Sequence, residues 1–97
     1  MDQKQNEILD LFIDVLSSTP GVARIIKKDL NKYNYFNDIN VEYNNGVWNF
    51  TVSLIILENA NCKDILTSIS SLLNYKLKMN KMKLGKLNIF IEGINND

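Results

Sequence analysis

Apolar residues near the start of the chain recur at helical spacing. In "NEILDLFIDVLSS" (Asn6–Ser18), Ile8, Leu11, Phe12, Val15 and Leu16 share one side of a helical wheel, with Glu7, Asp10 and Asp14 elsewhere. This predicts an amphipathic helix whose early acids suit the positive end of its dipole. It should stop before Pro20, because proline disfavours α geometry in the residue before it. Pro20 and Gly21 then fit a type II turn, the proline pre-setting its own φ and the glycine supplying a positive one. Beyond it, Val22, Ile25, Ile26 and Leu30 suggest an extra short helix after Gly21, or else irregular chain pinned by Ile25, Tyr33 and Phe36.

The middle of the chain changes period. "INVEY" (Ile39–Tyr43) and "VWNFTVSLIIL" (Val47–Leu57) flank "NNG", and Asn45-Gly46 is the favoured pair for a two-residue type I′ hairpin. That loop pairs Asn44 with Val47, Tyr43 with Trp48, Val41 with Phe50 and Ile39 with Val52. Asn40 and Glu42 then meet Thr51 and Asn49 on the opposite face. Turn chemistry and side-chain alternation thus agree on one register.

In "NCKDILTSISSLLNYKLK" (Asn61–Lys78), Ile65, Ile69 and Leu72, with Leu66, Leu73 and Leu77, predict a second amphipathic helix facing the core. Asn61 is its expected N-cap, Asp64 lies in its first turn, and Gly85 is its expected stop signal. "KLNIFIEGI" (Lys86–Ile94) alternates Leu87, Ile89 and Ile91 against Asn88, Phe90 and Glu92, which predicts a third strand.

The expected fold class is therefore α+β, in the order α-β-β-α-β, with two main helices packed on one face of a three-stranded sheet. Ile39, Val41, Tyr43, Trp48, Phe50, Val52, Leu54, Ile56, Leu87, Ile89 and Ile91 make the covered face. The other face is polar except at Ile55 and Phe90. At 97 residues the chain is one domain, with its core expected from about residue 7 to residue 94. A chain of this size buries only about 60–65% of its unfolded surface, so one sheet with one helical layer is as much architecture as it supports.

Composition narrows the chemistry. Eleven basic and eleven acidic residues give zero net charge, where a nucleic-acid binder usually shows a basic excess. No nucleic-acid partner is expected. There is no histidine, which removes the commonest general base and zinc ligand. No catalytic residue, cofactor or metal is expected, and the chain reads as non-enzymatic. No apolar run approaches the roughly 18–20 residues of a membrane span, and "MDQKQNE" lacks the pattern of a signal peptide. The expected location is cytoplasmic, with membrane contact at most peripheral.

Three features could carry function. The single cysteine, Cys62, cannot form an internal disulfide, and its thiolate would be stabilised at a helix N-terminus. The order of elements is similar to that of a metal–sulfur cluster assembly domain, and an iron–sulfur cluster carrier using Cys62 is the alternative function. That family has a Thr-to-Cys-Pro motif there, whereas this chain reads "ENANCKDI" without proline. Lysines cluster in "YKLKMNKMKLGK": Lys76, Lys78, Lys81, Lys83 and Lys86 form either a solvated helix end complementing the dipole or a surface for anionic lipid or an acidic partner. Ile55 and Phe90, with Asn49 and Thr51 beside them, are either scattered exposed residues or a patch for a second copy or a protein partner.

Several segments together resemble the alkaline shock protein family, bacterial proteins linked to envelope stress. "TPGVARI" (Thr19–Ile25) resembles its Pro-Gly-Val segment after the first helix. "INVEYNNGVWNFTVSLIIL" is similar to its hairpin, and "LNIFIEGI" (Leu87–Ile94) to its closing strand. The chain departs from that pattern at "LENANC", where the family has a Tyr-Gly turn, and across Lys27–Asn37, where the family is richer in glycine. The resemblance implies a non-enzymatic scaffold at the inner face of the cell membrane. Such proteins reach the membrane through small membrane-anchored partners and self-associate.

Overall fold

A computed structural model describes residues 3–25 and 39–95. The elements are α1 (Gln3–Ser18), β1 (Val22–Ile25), β2 (Ile39–Asn44), β3 (Val47–Leu57), α2 (Cys62–Met79) and β4 (Leu84–Asn95). The α+β class and the two-helix layer agree with the sequence, but the described sheet has four strands rather than three.

The additional strand is β1. Val22–Ile25 is extended rather than helical and pairs antiparallel with Leu54–Ile56 of β3, with a bulge between Val22 and Arg24. The rest of the expected short helix lies outside the described residues. Weak i, i+3 apolar spacing loses here to tertiary pairing, which satisfies the backbone of the C-terminal half of β3. β2 pairs antiparallel with Val47–Val52, and β4 runs parallel to almost all of β3. Because β4 occupies one edge of β3 throughout, β1 and β2 must lie end to end along the other. The sheet is still three rows wide.

The hairpin adopts the register expected from its loop, from Ile39 opposite Val52 to Asn44 opposite Val47. Asn45 (φ 54°) and Gly46 (φ 83°) hold the two positive φ values of a type I′ turn. The Pro20-Gly21 turn also forms as expected. Gly21 has φ 96°, and the Val22 N–H donates to the Thr19 carbonyl at 3.4 Å. Thr19 is buried, its hydroxyl donating to the Val15 carbonyl at 2.8 Å and so closing the last turn of α1.

Ile8, Phe12, Val15 and Leu16 of α1, with Ile65, Ile69, Leu73 and Leu77 of α2, pack on Val41, Trp48, Phe50, Val52, Leu54 and Ile56 of the sheet. Phe12 and Phe50 meet with ring centroids 4.7 Å apart at 54°. Each such side chain contributes about 1.5–3 kcal/mol on burial, before the opposing chain entropy. β4 completes the layer in register, with Leu87, Ile89 and Ile91 beside Phe50, Val52 and Leu54. Two expected core positions differ: Leu66 is exposed, and Tyr43 is 60% exposed, lying across Trp48 at the end of the sheet.

The caps of α2 divide in the same way. Asn61 is the N-cap, its side chain accepting from the Asp64 N–H at 3.2 Å. The stop signal is not Gly85, which lies within β4. Instead the Lys81 N–H donates to the Lys78 carbonyl at 2.9 Å and the Met82 N–H to the Leu77 carbonyl at 2.8 Å, the paired bonds of a Schellman motif. Lys81 occupies the left-handed position of that motif, with φ 61°.

Candidate functional site

The lysines that are adjacent in sequence do not form one surface. Lys76 pairs with Asp14 of α1 at 3.4 Å, tying the two helices together. Lys78 is exposed on the last turn of α2, and the Lys86 N–H donates to Asn49 Oδ1 at 2.7 Å. Lys81 and Lys83 line a cavity of about 500 Å³ at the turn end of the hairpin, with Lys4, Tyr43, Trp48 and Met82. Among the described residues, no carboxylate lines it. The rings of Tyr43 and Trp48 lie 4.9 Å apart at 49°, and the Trp48 backbone N–H donates to the Lys83 carbonyl at 2.9 Å. Lys81 stands where glycine is the usual residue, at a conformational cost of about 1 kcal/mol relative to glycine.

This cavity was not legible in the sequence, because the hairpin pattern assigns Tyr43 and Trp48 to the buried face. A signal was present, however. The type I′ register places that aromatic pair next to the turn, at the margin of any helical cover.

The polar sheet face is built differently. Phe90 is 54% exposed and lies beside Ser53 across the strands. The Ser53 hydroxyl donates to Glu92 Oε2 at 3.2 Å. Ile55 is half-buried and pairs with Gly93. A Cβ at residue 93 would come within 3.0 Å of Ile55 Cδ1, so the missing side chain leaves the space that Ile55 fills. Thr51 is half-buried next to Asn88. Asn49, expected to belong to the interaction surface, spends its side-chain oxygen on the extra residue that β4 inserts between Leu84 and Leu87.

Along β4 only the edge facing β3 is paired among the described residues. Beside that strand runs a groove of about 430 Å³, lined by Leu66 and Ser70 of α2 and by Leu87, Asn88, Ile89 and Phe90 of β4. The sequence hid this groove because Leu66 obeys the helical spacing of a core residue.

Cys62 is exposed at the first residue of α2. Among the described residues, no group of three or more His, Cys, Asp or Glu side chains could hold a metal ion. No described helix is long and apolar enough to cross a membrane.

No family model matches this chain, and no curated protein matches it. Among solved structures, MamM CTD M250L is similar, with a TM-score of 0.62 over 94% of this chain and 99% of that chain. The two are 12% identical, and the likeness is one of fold.

Proposed function

We propose that this chain is a non-enzymatic adaptor of the alkaline shock type. In this reading it works through protein–protein contacts at the inner face of a membrane, which it reaches through a small membrane-anchored partner. The absence of histidine and the segments around Pro20-Gly21, the hairpin and β4 support it. The observation that carries the docking half is the outer edge of β4, twelve residues long and without a strand partner among the described residues. A long apolar edge is a template for another strand, and soluble proteins usually cover or charge such edges.

The occupant is a second copy of this chain. Antiparallel pairing of two β4 strands about Ile89 sets Leu87 opposite Ile91 and Lys86 opposite Glu92, twice by symmetry. The edge is therefore complementary to itself in charge and in apolar character. Light scattering on the purified chain tests this: a dimer that becomes a folded monomer in Phe90→Lys supports the surface. An unchanged mass for that variant overturns it. Affinity capture from detergent-solubilised membranes tests the other half. Recovery of a small protein with one spanning helix supports the membrane role, and a chain found solely in the supernatant, without such a partner, overturns it.

A further inference from the structure

The groove beside β4 belongs to two layers at once, its walls being Leu66 and Ser70 of α2 and the strand residues around Ile89. We propose that the pairing of two β4 edges carries a second, helical layer, in which Leu66 of each copy seats against Ser70 of the other. This inference rests on the edge pairing proposed above and names what covers the groove when that pairing forms. Leu66 obeys the spacing of a core residue yet is 38% exposed, whereas Ile65, Ile69 and Leu73 of the same helix are buried. An apolar side chain on the flank of a helix, above a strand edge, becomes covered once a neighbour continues the sheet.

Symmetry fixes which residues meet. Antiparallel pairing about Ile89 sets the two-fold axis normal to the sheet beside that residue, with both α2 helices on the same face. Ile89 lines the groove together with Leu66 and Ser70, so these two helical residues flank the axis. The paired helices run antiparallel, and Leu66 of one faces Ser70 of the other, twice. A large side chain meets a small one at both positions, which lets the helices approach to the spacing of ordinary helix packing, about 8–10 Å.

Area gives an independent reason. β4 has twelve residues, about 40 Å of strand, and a sheet edge about 10 Å thick offers on the order of 400 Å² per copy. A stable dimer buries about 800 Å² per partner. The flank of α2, eighteen residues and about 27 Å long, raises the contact to roughly 700 Å². Strand pairing alone falls well short of a stable dimer, and the helical layer supplies most of the difference.

Sedimentation equilibrium of the full chain and its variants tests this. Leu66→Ala and Ser70→Leu should each raise the dimer dissociation constant about tenfold, the first by removing the inserted side chain and the second by filling its seat. The exchanged chain, Leu66→Ser with Ser70→Leu, again sets large against small and should recover most of the affinity. Neither residue is buried in the single chain, so the helical circular dichroism of each variant should match the parent. Unchanged affinity in both single variants, with Phe90→Lys still monomeric, overturns the helical layer and leaves the edge pairing standing. A parent chain that stays monomeric at millimolar concentration overturns both. An exchanged chain no better than the single variants overturns the seating of Leu66 on Ser70. A monomer that captures a foreign helix through Leu66 overturns the second copy as the occupant.

Discussion

Asn49 Oδ1 accepts the backbone N–H of Lys86 at 2.7 Å, a contact that reaches from the central strand to an irregularity in its neighbour. β4 carries one more residue than β3 between the Trp48–Leu84 and Phe50–Leu87 pairs, and the Asn49 side chain occupies the space this opens. Gly85 lies against the same oxygen. A Cβ at residue 85 would collide with Asn49 Oδ1 and come within 2.7 Å of Val47 Cγ2. Asn49→Ala should therefore cost about 1–2 kcal/mol, and Gly85→Ala a comparable amount through the clash. The double variant should be less destabilised than the sum, because removing the oxygen removes part of the collision. Urea denaturation of the three variants checks this, and strict additivity would show that the two residues do not share one space.

The two glycines at the other end of the sheet should respond unequally. Gly21 holds φ 96°, and a Cβ there would meet Ala60 Cβ and Ile65 Cδ1 at 3.0 Å. Its carbonyl also accepts the Leu57 N–H at 2.9 Å, so the turn cannot easily shift. Gly21→Ala should cost about 1–3 kcal/mol. For Gly93 the only close neighbour among the described residues is Ile55 Cδ1, the far end of a flexible side chain. Gly93→Ala should cost less than about 1 kcal/mol, by re-orienting Ile55. Thermal denaturation of both variants orders them, and a larger loss for Gly93→Ala would contradict this account of the turn.

These sites show which parts of the fold could be inferred from the sequence. The hairpin register rests on a two-residue loop and on strict alternation, both local, and every pair from Ile39–Val52 to Asn44–Val47 follows from them. β1 rests on pairing with a strand about thirty residues further on. Its four residues, with Ile26 beyond, carry apolar spacing that fits a helix equally well. The end of α2 was misplaced for a related reason: glycine is the usual terminator, and here Lys81 takes the left-handed position. The lysine-rich segment reads as one patch because its residues are consecutive. The chain leaves α2 and enters β4 within it, so Lys76 meets Asp14 while Lys81 and Lys83 lie at the hairpin.

Cys62 gives a control for the alternative based on thiol chemistry. Its side chain is exposed at the first position of α2, where the capping bond is made by Asn61. Cys62→Ser should change stability by no more than about 0.5 kcal/mol. It should also leave oligomeric mass unchanged. Iron-dependent absorbance in the unmodified chain that disappears in Cys62→Ser would instead support cluster carriage.

The charge pattern of β4 allows the proposed edge pairing to be tested independently of Phe90. Centred on Ile89, the antiparallel register places Lys86 of each copy opposite Glu92 of the other. Directly opposed charges across strands contribute about 0.2–1 kcal/mol per pair, and like charges are unfavourable to a similar degree. Lys86→Glu replaces two attractive pairs with two repulsive ones, and should weaken the dimer on the order of tenfold. Glu92→Lys should do the same by the converse route, with the added loss of the Ser53 hydroxyl bond to Glu92. The doubly exchanged chain, Lys86→Glu with Glu92→Lys, restores opposite charges at both positions and should recover most of the association. Sedimentation equilibrium on the four proteins reads the result. Recovery in the double variant requires the two residues to meet across the interface, whereas two independent losses that add would place the contact elsewhere on the molecule.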